Sequence, residues 1–123
     1  MKVLLAALLI IPFVAMAQEQ LPDTIEAGWK GKPVCEVLFE DEKIRTGTCI
    51  YPPGVGQDRH SHGPYFTYII SGGTLKVTSE RGTVESTSSV GDSGQSNGVK
   101  WHELENVGDT TLKYLFIEQK YKK

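Results

Sequence analysis

Hydrophobic positions are arranged in two ways along this chain. From Val3 to Ala17 they form one apolar stretch, whereas from Val34 onward they are cut into short β-rich runs separated by Gly, Asp, Asn and Pro. No segment sustains a helical period, so the pattern is all-β. The runs predict strands at Val34–Glu40, Ile44–Tyr51, Asp58–His62, Phe66–Ser71, Thr74–Thr78, Gly82–Ser86, Asp92–Ser96, Lys100–Glu105 and Leu112–Tyr121. Gly72-Gly73, Glu80-Arg81-Gly82 and Asn106-Val107-Gly108-Asp109 supply turn chemistry between them. Strand spacings of about 8 to 12 residues fit a sandwich or a barrel, and the pattern alone does not choose between the two.

The apolar stretch changes where the protein is expected to be. A single basic residue, Lys2, precedes it, and it ends on Ala15-Met16-Ala17, the small-x-small arrangement that a signal peptidase cleaves. At about fifteen residues it falls short of the roughly twenty that span a bilayer. Residues 1–17 therefore read as a signal peptide, with Gln18 the first mature residue. Residues 18–33 are a polar lead-in, and 34–121 form one β domain within the 123-residue chain. The expected location is periplasmic or secreted, with no membrane attachment after cleavage. Loss of Lys2 makes the formal net charge of −2 one unit more negative, which disfavours nucleic acid as a partner.

Export gives the two cysteines a meaning, since an oxidising compartment favours an intact pair. If the first two strands form a hairpin turning near Asp41 to Lys43, Cys35 and Cys49 are symmetric about Glu42 and face one another within disulfide reach.

The chain has three histidines, and two of them form His60-Ser61-His62. In extended backbone that spacing puts both imidazoles on one face, which is half of a metal site. Such a pair is weak evidence by itself, but its surroundings are not random. Gly54, His60, His62 and Gly72 match a Gly-x5-His-x-His segment closed by a glycine turn; Gly91, His102 and Asn106 match Gly-x5-Pro-x-Gly-x2-His-x3-Asn, with Asn97 and Val99 in place of its proline and second glycine. In this order the segments resemble the two motifs of the cupins, over roughly Val34 to Lys120. The resemblance implies a single jelly-roll β-barrel whose three histidines point inward and hold one divalent metal ion.

One element of the family pattern is missing. The acidic ligand of the first motif would fall on Tyr65, Phe66 or Thr67, and no Asp or Glu occurs from Ser61 to Ser79. Three imidazoles without a carboxylate would leave a net double positive charge and room for water or an anionic substrate. Tyr65 and Thr67 share parity and are candidates to approach the metal, Tyr65 also being the candidate catalytic group. Imidazole suits Zn, Fe, Mn, Ni and Cu alike. Trp101 is expected to fill core, Glu103 and Glu105 to face solvent, Arg59 to point away from the metal, and Asn106 to bond backbone at a strand end.

The chain most resembles short single-domain cupins with an aromatic residue where the acid would be. The expected function is metal-dependent chemistry of a dioxygenase or isomerase kind on a small organic molecule. The alternative is a non-catalytic binder of a small molecule or of the metal. A third reading is a homodimerising domain with an empty barrel, pairing through Val34–Glu40 and Leu112–Tyr121 as edge strands.

Overall fold

Two β-rich runs begin the domain, β1 (Cys35–Glu40) and β2 (Ile44–Tyr51), and Asp41 closes the turn between them by accepting from the amides of Lys43 and Ile44. The structure is a computed structural model and describes residues 20–120 and the single residue Pro12. The proposed signal peptide lies otherwise outside the described residues, as does Tyr121. The hairpin register shifts between Val37 and Phe39: Phe39 faces Thr46, but Val37 faces Gly47. That bulge brings Cys35 opposite Cys49, and the two form a disulfide with Cα atoms 4.1 Å apart. Closing a loop of this size contributes on the order of 3 kcal/mol in the chain-entropy picture.

The remaining strands are β3 (Gly56–His62), β4 (Tyr65–Ser71), β5 (Gly73–Ser79), β6 (Gly82–Ser88), β7 (Ser93–Ser96), β8 (Val99–Asn106) and β9 (Leu112–Gln119). Each coincides with a predicted run to within two residues at either end. They form two antiparallel sheets, ordered β1-β2-β9-β4-β7 and β3-β8-β5-β6. β9 shows why the sheets stack. Leu112, Tyr114, Phe116 and Glu118 alternate inward and are buried, while Ile117 and Gln119 face out. Leu112, Tyr114 and Phe116 meet Cys49, Tyr51, Ile69 and Leu104, and each large apolar side chain removed from water in this way is worth roughly 1.5–3 kcal/mol.

Long-range pairing corrects one expectation. Leu112–Gln119 is not an edge strand: β9 sits in the sheet interior between β2 and β4, whereas β1 does lie at an edge. Its apolar inward face needs cover along its whole length, and two neighbours also use its backbone donors and acceptors.

Two motif glycines have a backbone reason. Gly54 and Gly91 adopt φ of 78° and 90°, a conformation that side chains with a Cβ disfavour, so each turn ends where the motif places glycine. Asn106 closes the second motif by donating to the carbonyls of Tyr51 and Thr110 while accepting from the amide of Gly108, the backbone role expected of it.

The polar lead-in is part of the fold. Thr24 and Ala27 are buried, and their carbonyls accept from the side-chain amide of fully buried Gln57, which also accepts from the Tyr51 hydroxyl at 2.6 Å. The amides of Asp58 and Ser61 donate to the carbonyls of Gly28 and Pro22. These bonds strap residues 22–28 along β3, beside the His-x-His pair.

Candidate metal centre

β3 and β8 bring the three histidines together. His60 lies opposite His102 in the ladder, and the register is irregular on both sides of His60. Strict alternation from inward Gln57 would send His60 outward. Asp58 and Arg59 are instead both exposed, and this local break returns His60 and then His62 to the interior. Arg59 stacks on Trp101, 3.8 Å from the ring centroid, and both lie outside the barrel. Trp101 alternates with inward His102 along β8, so it covers the outer face and is not core as expected. Glu103 lies within 3.7 Å of Arg59 and Glu105 pairs with Lys76, both outside the barrel as parity predicts.

The three Nε2 atoms form a nearly equilateral triangle: His60 to His62 3.0 Å, His62 to His102 2.9 Å and His102 to His60 3.0 Å. The other ring nitrogens decide where the protons are. His60 Nδ1 lies 2.7 Å from the Asp58 carbonyl, which can only accept, so this nitrogen carries the hydrogen and Nε2 carries a lone pair. His62 Nδ1 lies 2.7 Å from Thr24 Oγ1 and 3.1 Å from Glu118 Oε1, and the Thr24 hydroxyl itself donates to Glu118. His62 Nδ1 is therefore also the donor. Burial holds His60 down to about 4, and burial with the neighbouring His60 and His62 holds His102 down to about 3. With the His60 ring neutral its Nε2 brings no hydrogen, so three nitrogens in mutual contact have fewer hydrogens than contacts.

That arrangement is unfavourable for imidazoles alone and suited to a cation. Nitrogens 2.9–3.0 Å apart, at metal–nitrogen distances of about 2.0–2.1 Å, would subtend roughly 90° at a single ion, the angle between ligands on one face of an octahedron. The donor set therefore fits a divalent transition metal.

Below the histidines lies a cavity of about 280 Å³ between the sheets. His62, His102 and Tyr65 stand at one end, and the wall continues through Ile69, Leu104 and Phe116. Among the described residues, no Asp, Glu, Lys or Arg lines it. Tyr65 packs its ring 4.5 Å from that of His62, and burial raises its phenol above the ordinary value. Thr67 lines the same cavity, in keeping with the parity it shares with Tyr65.

Solved structures share this architecture. A cupin domain from Bordetella pertussis Tohama I is similar at a TM-score of 0.67 and 23% identity, covering 85% of this chain and 100% of that one. An RmlC-like cupin family protein with a double-stranded β-helix fold, from Methanocaldococcus jannaschii, is similar at 0.58 and 14%, covering 76% and 87%. The fold is a cupin jelly roll. A predicted oxalate decarboxylase from Thermotoga maritima shares the cupin barrel at a TM-score of 0.56 and 20% identity, over 71% of this chain and 79% of that one. No family model matches the chain, and no curated protein sequence matches it.

Within the cupin barrel, the sequence reading missed one carboxylate. Glu118 of β9 is buried and touches His62 from behind. Burial would raise its pKa, but hydrogen bonds from His62 and Arg45 hold it below the usual value. Arg45 donates to Glu118 at 2.7 Å and to Asp23 at 2.9 Å, which joins the lead-in to the histidine cluster. A signal was present: Glu118 continues the inward parity of Leu112, Tyr114 and Phe116, and an acid on that face needs a partner.

Proposed function

We propose that this protein binds one divalent metal ion through Nε2 of His60, His62 and His102, and that the ion faces a small organic molecule in the cavity. The observation that carries the reading is the triangle of nitrogens, which meet at 2.9–3.0 Å with too few hydrogens to bond one another. Zn, Fe, Mn, Ni and Cu all accept such a donor set. Once bound, the ion supplies Lewis acidity or activates water or dioxygen. The protein holds three imidazoles on one side, and no carboxylate of the described residues stands on the side towards the cavity. The cavity, at the small end of the range for ligand pockets, suits a compact and largely apolar molecule, anchored at the metal end by an oxygen atom. Tyr65 is the candidate to donate to that molecule, which is the role expected in a dioxygenase- or isomerase-like reaction.

A second reading is capture without turnover. The lack of acidic or basic side chains along the described cavity wall favours it, since Tyr65 is then the strongest acid–base candidate beyond the histidines. The Cys35–Cys49 disulfide supports an extracytoplasmic setting, periplasmic or secreted, following removal of residues 1–17.

The test is elemental analysis of the untagged protein beside the His60→Ala variant. About one equivalent of a single metal in the parent, lost in the variant, supports the metal reading. No metal in either protein, even after reconstitution with each candidate ion, would overturn it. Turnover of oxidisable or isomerisable substrates by the loaded protein then separates enzyme from binder.

A further inference from the structure

Resting on the metal reading above, we propose that Glu118, held by Arg45 and Thr24, is a positioning residue of the metal centre, fixing the ring of His62 from behind and returning one negative charge to a ligand set that has none. The ligating histidines are anchored differently. His60 is fixed by its own strand, since its Nδ1–H donates to the Asp58 carbonyl two residues away. His62 is anchored by side chains instead: its Nδ1 meets Thr24 Oγ1 at 2.7 Å and Glu118 Oε1 at 3.1 Å, groups that are 38 and 56 residues distant.

Glu118 is built to accept there. Three donors converge on its two oxygens: the Thr24 hydroxyl and His62 Nδ1 on Oε1, and Arg45 Nη2 on Oε2. An acceptor with that much competition from fixed donors cannot turn away, so the imidazole it faces keeps its hydrogen on Nδ1 and its lone pair towards the other two rings. Glu118, Arg45 and Asp23 form a chain of alternating charge whose sum is one negative, placed one ring away from the proposed ion. The carboxylate that the first motif lacks as a direct ligand is thus supplied from the last strand in the outer sphere, which lowers the net charge around a divalent ion from two towards one.

The arrangement also gives the lead-in a role. Thr24 is fully buried and Asp23 receives Arg45, so residues 23 and 24 support both the carboxylate and the ring it orients. Glu118→Gln keeps the size but removes the charge, and it presents an amide hydrogen to one of the donors. Thr24→Val keeps the shape and replaces only the hydroxyl by a methyl group.

Both variants are made in the full chain, and cobalt affinity is read by competition with a chelator, alongside the cobalt ligand-field spectrum and the melting temperature of metal-free protein. Losses of 10- to 100-fold in affinity for Glu118→Gln and a smaller loss for Thr24→Val are expected, each with a shifted spectrum. If Glu118→Gln fails to fold, Thr24→Val decides by the same two readouts. Unchanged affinity and spectrum in the folded variants would overturn the proposal while leaving the metal reading intact. A parent protein that binds no cobalt would overturn the metal reading itself.

Discussion

The two sides of the histidine cluster contrast in chemistry. Behind it lie Thr24, Arg45, Asp23 and Glu118, a charged and closely hydrogen-bonded layer made of the lead-in, β2 and β9. In front lies a cavity walled largely by apolar side chains, with no Asp, Glu, Lys or Arg among the described residues that line it. The layer behind specifies ring orientation, because each of its groups is pinned by another. The space in front specifies little beyond size and apolarity, which leaves the inward-facing side available to a ligand. In the proposed metal centre, rigid support and the side open to a ligand would lie on opposite faces.

Removing a histidine breaks the comparison most severely. For His102→Ala the stabilisation that metal gives the parent, about 4 kcal/mol at a thousandfold excess over Kd, is expected to vanish. Calorimetry with and without zinc checks this; an equal zinc-dependent rise in the melting temperature of parent and variant would remove His102 from the ligand set.

Acid should reach the same place more gradually. In metal-free protein His60 and His102 titrate at about 4 and about 3, against 6.5 for an ordinary histidine. Between those values the unfolded chain binds protons that the folded chain refuses, so stability falls as pH drops from about 6.5 towards 3, by several kcal/mol in all. Asp23 and Glu118, both held below ordinary carboxylate values, add their own loss only at lower pH. Urea midpoints with chelator at pH 7.5 and 4.5 give the measurement, and a flat profile would mean that the rings protonate without unfolding.

The smallest effect is expected in front. Leu75→Phe pushes volume into the cavity from β5 and should change stability by less than about 1.5 kcal/mol. Its cobalt affinity should stay within twofold of the parent, in contrast with Glu118→Gln. A large loss of metal affinity in Leu75→Phe would mean that the cavity wall, and not only the charged layer, positions the rings.

Much of the fold was legible in the chain. All nine strands follow from apolar runs and turn residues, because alternation and turn chemistry are local properties. The spacings of Gly54, His60, His62, Gly91, His102 and Asn106 pointed to the barrel and to the three histidines. The pairing of Cys35 with Cys49 followed from symmetry about one turn, although a bulge, invisible in the sequence, keeps that register. The errors came where the partner is distant. β9 was expected at an edge, yet it lies between β2 and β4. Trp101 looked like core because it is large and aromatic, yet strand parity opposite His102 puts it outside under Arg59.

Local spacing was thus enough for strand periodicity, for the hairpin that joins the cysteines and for the identity of the three imidazoles, since each depends on positions within one strand or turn or on a short motif. Sheet pairing and packing were needed to put Glu118 behind His62, to bring Thr24 and Asp23 of a polar lead-in to its support, and to open the front of the cluster on an uncharged cavity. Those contacts join residues 22 to 94 positions apart, and no local period encodes which strands become neighbours.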